Sequence, residues 1–177
     1  LGAPGSGKTT LMNYFAVVSA SAGEAVKTDD DEMARSVAAL AECLPIIIRI
    51  RDLARHPELS VLEFVRDFVE KDLAVTRDLS GFFEHHLETG KVLILLDGLD
   101  EVADLTQRYK VVEKIEAFLN QCGNCRTIIT SRPAGYKRDF FRTDEFPHYE
   151  LQPFDDDKID TFIEHWYDSR FELESER

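Results

Sequence analysis

The hydrophobic pattern predicts a chain in which short apolar strands alternate with amphipathic helices. Apolar residues run almost without interruption through residues 45–50 and 92–96, which is typical of strands buried on both faces. Apolar positions recur every three or four residues in residues 8–18, 61–69 and 109–119, which indicates helices with one buried face. The alternation predicts a three-layer α/β fold, with a mostly parallel sheet between two layers of helices.

Two more strands complete the predicted sheet. Residues 125–133 (CRTIITSRP) predict a strand that stops at Pro133, and residues 148–154 (HYELQPF) predict a fifth strand. In such a sheet, polar chemistry gathers where the strands end at their carboxyl side. The polar residues that directly follow the strands are therefore the candidate site.

Several helix ends are also marked by local signals. Ser60 and Glu63 form a capping box, and Gly90 closes a short helix that begins near residue 81. Residues 31–43 indicate one further helix, with Met33, Val37, Leu40 and Leu44 at helical spacing. In residues 8–18, Leu11, Tyr14, Phe15 and Val18 share the predicted buried face. Asp155 is expected to cap a last helix, which carries Ile159, Phe162, Ile163 and Trp166.

Composition narrows the function classes. The chain is 44% hydrophobic and 31% charged, which is typical of a soluble globular protein. Its net charge of −13 disfavours non-specific binding to nucleic acid, because an acidic surface repels phosphate backbones. No apolar run approaches the roughly 18 residues that span a bilayer. With few cysteines and no signal peptide, we expect a cytoplasmic protein without a membrane partner.

The cysteines leave one minor alternative open, a redox pair, and the histidines leave none. Cys122 and Cys125 have the CxxC spacing of a redox pair, although burial of Cys125 at the start of a strand and of Cys122 in a turn is the simpler interpretation. A zinc site would need a second pair of ligands, and none follows at suitable spacing. The five histidines form no metal-binding pattern, so we expect structural or surface roles for them.

The opening residues match the phosphate-binding motif G-x-x-x-x-G-K-[ST] in full. Glycines let the backbone curl around phosphates, and successive N–H groups followed by a helix N-terminus create an anion-binding nest. Lys8 is expected to neutralise the β- and γ-phosphates, and Thr9 to offer its hydroxyl to Mg²⁺. The predicted nucleotide-binding residues are Gly2, Ala3, Pro4, Gly5, Ser6, Gly7, Lys8, Thr9 and Thr10.

A second motif supplies the other half of a metal–triphosphate site. The apolar strand at residues 92–96 ends in Asp97, where P-loop proteins hold Mg²⁺. Asp100 and Glu101 lie just beyond, where they could polarise an attacking water. An acidic turn that caps the next helix would give the same pattern. The motif therefore indicates a metal site only in combination with the phosphate loop, which supplies the other half of that site.

A third motif, Thr-Ser-Arg-Pro at residues 130–133, ends the strand that follows. Arg132 could reach a γ-phosphate there and respond to its presence, although a surface arginine is the alternative. The guanine-reading motif Asn-Lys-x-Asp is absent, since none of the asparagines at positions 13, 120 and 124 begins one. ATP or ADP with Mg²⁺ is therefore the predicted ligand.

Taken together, these segments resemble the NACHT family of signal-transduction NTPases, within the STAND class of P-loop ATPases. LGAPGSGKTTLMNYFA is similar to the Walker A segment of the family, and LETGKVLILLDGLDEV to its Walker B segment with a doubled acid. LPIIIRIRDLA, RTIITSRPAGY and YELQPFDDDKIDTFIEHWY resemble its second strand, its sensor strand, and its fifth strand with the following helix.

The resemblance assigns Lys8, Thr9 and Asp97 to phosphate and Mg²⁺, Asp100 and Glu101 to hydrolysis, and Arg132 to γ-phosphate sensing. It implies an NTPase core at residues 1–153 and the beginning of a helical domain at residues 154–177. It also implies a central first strand before Gly2, between the sensor strand and the fifth strand, of which only Leu1 is present. We therefore expect a fragment whose sensor and effector domains lie elsewhere.

The resemblance predicts a slow ATPase that acts as a signalling switch, self-associates through its core and serves signal transduction or innate defence. A P-loop phosphotransferase would share the loop and Asp97, but would need an arginine-rich lid over an acceptor pocket. A scaffold that holds nucleotide without turnover is the non-enzymatic alternative.

Overall fold

A parallel sheet of three strands, in the order β1–β2–β3, organises the fold. The structure is a computed structural model that describes residues 1–21, 35, 38–71, 75, 79, 81–122 and 124–175. Short 3₁₀ turns lie at Leu99–Glu101 and Pro133–Gly135. The helices and strands are α1 (Lys8–Ala20), β1 (Leu44–Arg49), α2 (Ile50–Ala54), α3 (Val61–Lys71), α4 (Phe82–Glu88), β2 (Val92–Asp97), α5 (Leu105–Leu119), β3 (Arg126–Ile129) and α6 (Asp156–Ser175).

Strand β2 is covered on both faces, which confirms the predicted three-layer α/β architecture. Leu93 and Leu95 pack with Met12 of α1, and all of these side chains are buried. Val92, Ile94 and Leu96 point to the opposite face, where they join the larger core formed with helices α2 to α5. Because strand side chains alternate between faces, one uninterrupted apolar strand can serve both layers.

The strand register places polar residues at one edge of the sheet. Arg49 of β1 lies opposite Asp97 of β2, and both strands end there. The register of β2 and β3 is set by the pairing of Leu96 with Ile129. The ladder continues one step further, since Thr130 N–H donates to the Leu96 carbonyl at 2.9 Å. The residues after all three strands therefore meet at the carboxyl edge.

The fifth predicted strand is not a strand in the structure. Residues 148–154 form no strand. Their main chain instead makes two bonds with Leu1: the Leu1 amino group donates to the Tyr149 carbonyl at 2.6 Å, and Leu151 N–H donates to the Leu1 carbonyl at 2.8 Å. Gly2 N–H donates to the Ser131 carbonyl at 3.2 Å on the other side. A ladder needs a run of residues paired through main-chain hydrogen bonds, and among the described residues only Leu1 forms such bonds with this segment.

Helix α1 buries most of the predicted face and extends it on one side. Val18 is 1% exposed and Phe15 packs beside Met12, whereas Tyr14 is 46% exposed and Ser19 is buried instead. The Ser19 hydroxyl donates to the carbonyls of Leu40 and Cys43, at 2.8 and 2.6 Å. These bonds satisfy the hydroxyl and turn this side of α1 toward the sheet.

The predicted helix ends agree closely with the observed ones. Ser60 N–H donates to Glu63 at 2.7 Å and Glu63 N–H donates to the Ser60 hydroxyl at 3.2 Å, as a capping box requires. Asp155 accepts from Lys158 N–H at 2.9 Å and caps α6. Of the helix expected at residues 31–43, residues 38–41 are helical, while Met33 and Val37 lie outside the described residues. In α6, the side chain of Trp166 also lies outside the described set. The domain boundary at residue 153 stays a prediction.

Lys114 of α5 binds the loop between α2 and α3. Its ammonium donates to the carbonyls of His56, Pro57 and Leu59 at 2.8, 3.2 and 2.7 Å. We expect Lys114→Met to lower the free energy of unfolding by about 1.5 kcal/mol, because these carbonyls lose a charged donor. Urea denaturation would measure the change, with Lys110→Met, an exposed lysine one turn away, as the control. Equal effects of the two substitutions would contradict this role.

Candidate nucleotide-binding site

The loop between Leu1 and α1 has the backbone shape of an anion nest. Gly5 and Gly7 adopt positive φ angles of 75° and 82°, a conformation that favours glycine. A Cβ atom at Gly2 would overlap the Ser6 hydroxyl, so the loop closes tightly at its start. The first hydrogen bond of α1 runs from Leu11 N–H to the Gly7 carbonyl at 2.8 Å. The N–H groups at residues 8–10 therefore have no acceptor within the helix and are available to an anion.

The Lys8 side chain lies back over this loop. Its ammonium donates to the carbonyls of Gly2 and Ala3 at 2.8 and 2.9 Å, and to the Ser6 hydroxyl at 3.4 Å. The loop thus carries a cation beside the open N–H groups. Both features attract a negatively charged ligand.

Asp97 joins the loop to the sheet edge through two hydroxyl groups. Thr9 Oγ1 donates to Asp97 Oδ2 at 2.8 Å, and Thr130 Oγ1 donates to Asp97 Oδ1 at 2.5 Å. Thr130 in turn accepts from Gly98 N–H at 3.0 Å. Residues from α1, β2 and the end of β3 therefore converge on one carboxylate.

Asp100 and Arg132 form a pair at the same edge. Arg132 N–H donates to Asp100 Oδ1 at 2.8 Å, and Arg132 Nε lies 3.2 Å from Asp100 Oδ2. The Asp100 side chain is only 12% exposed, whereas that of Arg132 is 50% exposed. Both oxygens of Asp100 thus hold Arg132, and the guanidinium remains accessible from the solvent side.

Glu101 has a different partner. Its Oε2 atom lies 3.1 Å from Arg51 Nη1, at the beginning of α2. The two acids that follow Asp97 are therefore bound by arginines from two different strand ends. The sequence motifs predicted the position of both acids but neither of these pairs.

Within the part of the chain that the structure describes, the cysteines and histidines show no sign of a second site. Burial, with a smaller contribution from Cys125, raises the pKa of the Cys122 thiol to about 12, and burial also raises the pKa of Cys125. Both are free thiols, so the structural interpretation of the CxxC pair is favoured over the redox one. Among the described residues, no group of three His, Cys, Asp or Glu side chains could hold a metal ion.

Comparison with known proteins identifies the family. A family model described as NACHT domain matches residues 1–170. The chain belongs to the NACHT family. No individual curated protein matches it, and no solved structure does. Membership implies a P-loop NTPase fold, which agrees with the observed sheet and layers.

The residues of this NACHT domain fit a nucleotide with Mg²⁺. NACHT domains bind nucleotide, and Mg²⁺ is usually held in proteins by one or two carboxylates together with phosphate oxygens and water. Thr9 and Asp97, 2.8 Å apart, supply one hydroxyl and one carboxylate beside an anion nest. Within the described residues, no helix of this NACHT domain has the length and apolarity needed to cross a membrane.

Sequence reasoning missed three supporting residues. Thr130 belongs to a motif in which only Arg132 was assigned a role. Arg51 belongs to the Arg-Asp-Leu that follows the predicted second strand, to which no role was assigned. Arg108 of α5 had no signal at all. It donates to the carbonyls of Val102 and Gly135 at 2.8 and 2.7 Å, and so fixes the segments after β2 and β3 to each other.

Proposed function

We propose that this NACHT domain is the ATP-binding and slowly ATP-hydrolysing module of a signalling switch. The observation that carries the proposal is the Thr9–Asp97 hydrogen bond of 2.8 Å, which joins the phosphate loop to the end of β2. A hydroxyl and a carboxylate in this arrangement are the protein ligands that Mg²⁺ takes in P-loop proteins. The match to the family favours the switch over a phosphotransferase.

In this proposal the loop residues bind the phosphates. The open N–H groups at residues 8–10 donate to the β- and γ-phosphates, and the Lys8 ammonium neutralises part of their charge. Residues 2–7 shape the loop around them, with Ser6 N–H bonded to the Ala3 carbonyl. Thr9 and Asp97 hold Mg²⁺. The ion would supply charge neutralisation on the phosphate oxygens. Because Lys8 now donates to the loop carbonyls, it must exchange these bonds for phosphate oxygens when nucleotide binds.

The acids and Arg132 carry hydrolysis and sensing. Glu101 accepts a proton from the attacking water, and Asp100 holds Arg132 at the strand edge through its two oxygens. The exposed guanidinium of Arg132 is available to a γ-phosphate, and ADP cannot make that contact. ATP and ADP would therefore stabilise different arrangements of this edge, which is the requirement for a switch.

The wider role follows from this chemistry and from the family. We propose a cytoplasmic protein that self-associates through this core when ATP is bound, with sensor and effector functions in other domains. In this proposal the switch acts in signal transduction or innate defence. A nucleotide-holding scaffold would bind ATP equally well, and only turnover separates it from the switch.

The test is a direct measurement on the chain. We expect ATP and ADP to bind with Mg²⁺, and single-turnover hydrolysis of ATP to be slow but detectable. Calorimetry would measure binding, and phosphate release would measure hydrolysis. Absence of nucleotide binding would overturn the proposal, whereas tight binding without any hydrolysis would favour the scaffold.

A further inference from the structure

The carboxylate of Glu101 is folded back over the end of β2. Gly98 has a φ angle of 78° and no side chain, and a Cβ atom placed there would lie 3.0 Å from Glu101 Cδ and 3.3 Å from Oε1. Glu101 therefore occupies the space that a side chain at position 98 would need. One of its oxygens, Oε1, lies over the residue that directly follows Asp97.

The other oxygen of Glu101 is anchored by Arg51. Arg51 Nη1 lies 3.1 Å from Oε2, and Arg51 Nε lies 3.7 Å from Asp52 Oδ1. Both side chains of the Arg51–Glu101 pair are partly exposed, at 43% and 40%. The two oxygens of Glu101 are thus distinguished by their surroundings: Oε2 faces an arginine, and Oε1 lies over Gly98, the residue that follows Asp97.

Arg51 itself is held in place by the core. Its neighbours Ile50 and Leu53 in α2 are both 0% exposed. The buried pair leaves α2 little freedom to rotate, so Arg51 is presented to Glu101 from a fixed element. A guanidinium on such an element restricts the carboxylate it binds to a small range of positions.

We propose that Arg51 is a positioning residue for Glu101. It holds Oε2 and thereby directs Oε1 toward the water that attacks the γ-phosphate. This inference rests on the proposed ATPase function and adds a residue to it. Arg51 acts through Glu101 and makes no contact with the nucleotide.

A double-mutant cycle on the intact chain tests this role. Arg51→Met keeps the aliphatic stem and removes the charge, and we expect single-turnover hydrolysis of ATP to fall about tenfold with an ATP affinity within about twofold of the parent. Arg51→Lys should give an intermediate rate, because it restores a charge without the planar fork. In a Glu101→Gln background, Arg51→Met should have no further effect. Arg55→Met is the matched control, since Arg55 pairs with Asp52 at 3.0 Å.

A second pair of variants tests the packing of Glu101 without touching Arg51. Gly98→Ala should slow hydrolysis at least about tenfold, because the new methyl group displaces the carboxylate. Gly81→Ala is the control: its φ angle is 77°, but a Cβ atom there meets nothing within 4 Å. Both changes carry the backbone cost of a positive φ, so a difference between them in rate reports a change at the end of β2. If that change is the displacement of Glu101, Gly98→Ala should have no further effect in the Glu101→Gln background, whereas a shift of the Gly98–Thr130 bond would slow both backgrounds.

The outcomes separate this inference from the function on which it rests. If the parent does not hydrolyse ATP, or if Glu101→Gln hydrolyses it at the parental rate, the proposed catalytic function is wrong and this inference with it. If Glu101→Gln is slow but Arg51→Met retains or exceeds the parental rate, only the positioning role is wrong. An equal loss from Arg51→Met in both backgrounds would also overturn it.

Discussion

Replacing Lys8 with alanine is expected to weaken ATP binding by at least about a hundredfold. The ammonium lies on the phosphate loop, 2.8 to 2.9 Å from two of its carbonyls, next to N–H groups that have no helical acceptor. Binding exchanges two bonds to neutral carbonyls for bonds to charged phosphate oxygens, which are stronger acceptors. A hundredfold change corresponds to about 2.7 kcal/mol, which lies within the range of about 1.5 to 3 kcal/mol for one charged hydrogen bond. Calorimetric titration with Mg-ATP would measure the loss.

The control must separate loss of a ligand contact from collapse of the loop. Lys91→Ala removes a lysine that pairs with Glu42 at 3.4 Å, at the amino end of β2, and should leave affinity unchanged. The unfolding midpoint of Lys8→Ala should stay close to that of the parent, because the bonds of Lys8 are exposed or only partly buried and water can replace them. An alanine variant that binds ATP as tightly as the parent would show that the loop is not the phosphate site.

Most of the strands and helix ends could be predicted from the sequence, because the patterns that specify them are local and strong. The apolar run at residues 92–96 predicts a strand buried on both faces, and the observed strand is Val92–Asp97. Ser60 and Glu63 cap α3 through bonds between residues three apart, which spacing alone predicts. The family match confirms the NACHT resemblance that these segments supported.

Features that depend on contacts across the sheet could not be predicted in this way. The bond between Thr130 and Asp97 joins residues 33 positions apart, and Arg51 reaches Glu101 from another strand end. Nothing in local spacing specifies which arginine pairs with which acid. The expected strand at residues 148–154 was wrong for a related reason, since strand formation depends on a neighbouring backbone as well as on an apolar pattern.

The pairing of acids with arginines also changes the meaning of the acidic motif. A run of Asp97, Asp100 and Glu101 reads as three similar carboxylates, yet each has a separate environment. Asp97 is bound by hydroxyl groups, and Asp100 is bound by Arg132 through both oxygens. Glu101 pairs with Arg51 through Oε2, while its Oε1 lies over Gly98. Only the first has neutral partners alone and no arginine to compete with a cation, which supports the proposal that Asp97 would hold Mg²⁺.

Replacing Asp97 with asparagine should therefore abolish the response to Mg²⁺. Asparagine retains an oxygen that can accept from Thr130 and an amide that can donate to Thr9, so the sheet edge should keep its shape. The negative charge that holds the cation is lost. We expect ATP hydrolysis to fall at least about a hundredfold, because metal-assisted charge stabilisation contributes several kcal/mol, and we expect ATP affinity to become independent of Mg²⁺.

The measurement is a pair of titrations, with Mg²⁺ and with EDTA, together with single-turnover hydrolysis. Asp67→Asn is the matched control, because Asp67 pairs with Lys71 on α3 and has no contact with the phosphate loop. The control should retain the full Mg²⁺ dependence of the parent. If Asp97→Asn also retained it, the cation would have to be held by other groups, and the Thr9–Asp97 bond would be a structural link between α1 and the sheet. Loss of the Mg²⁺ response with an unchanged unfolding midpoint would assign the ion to Asp97.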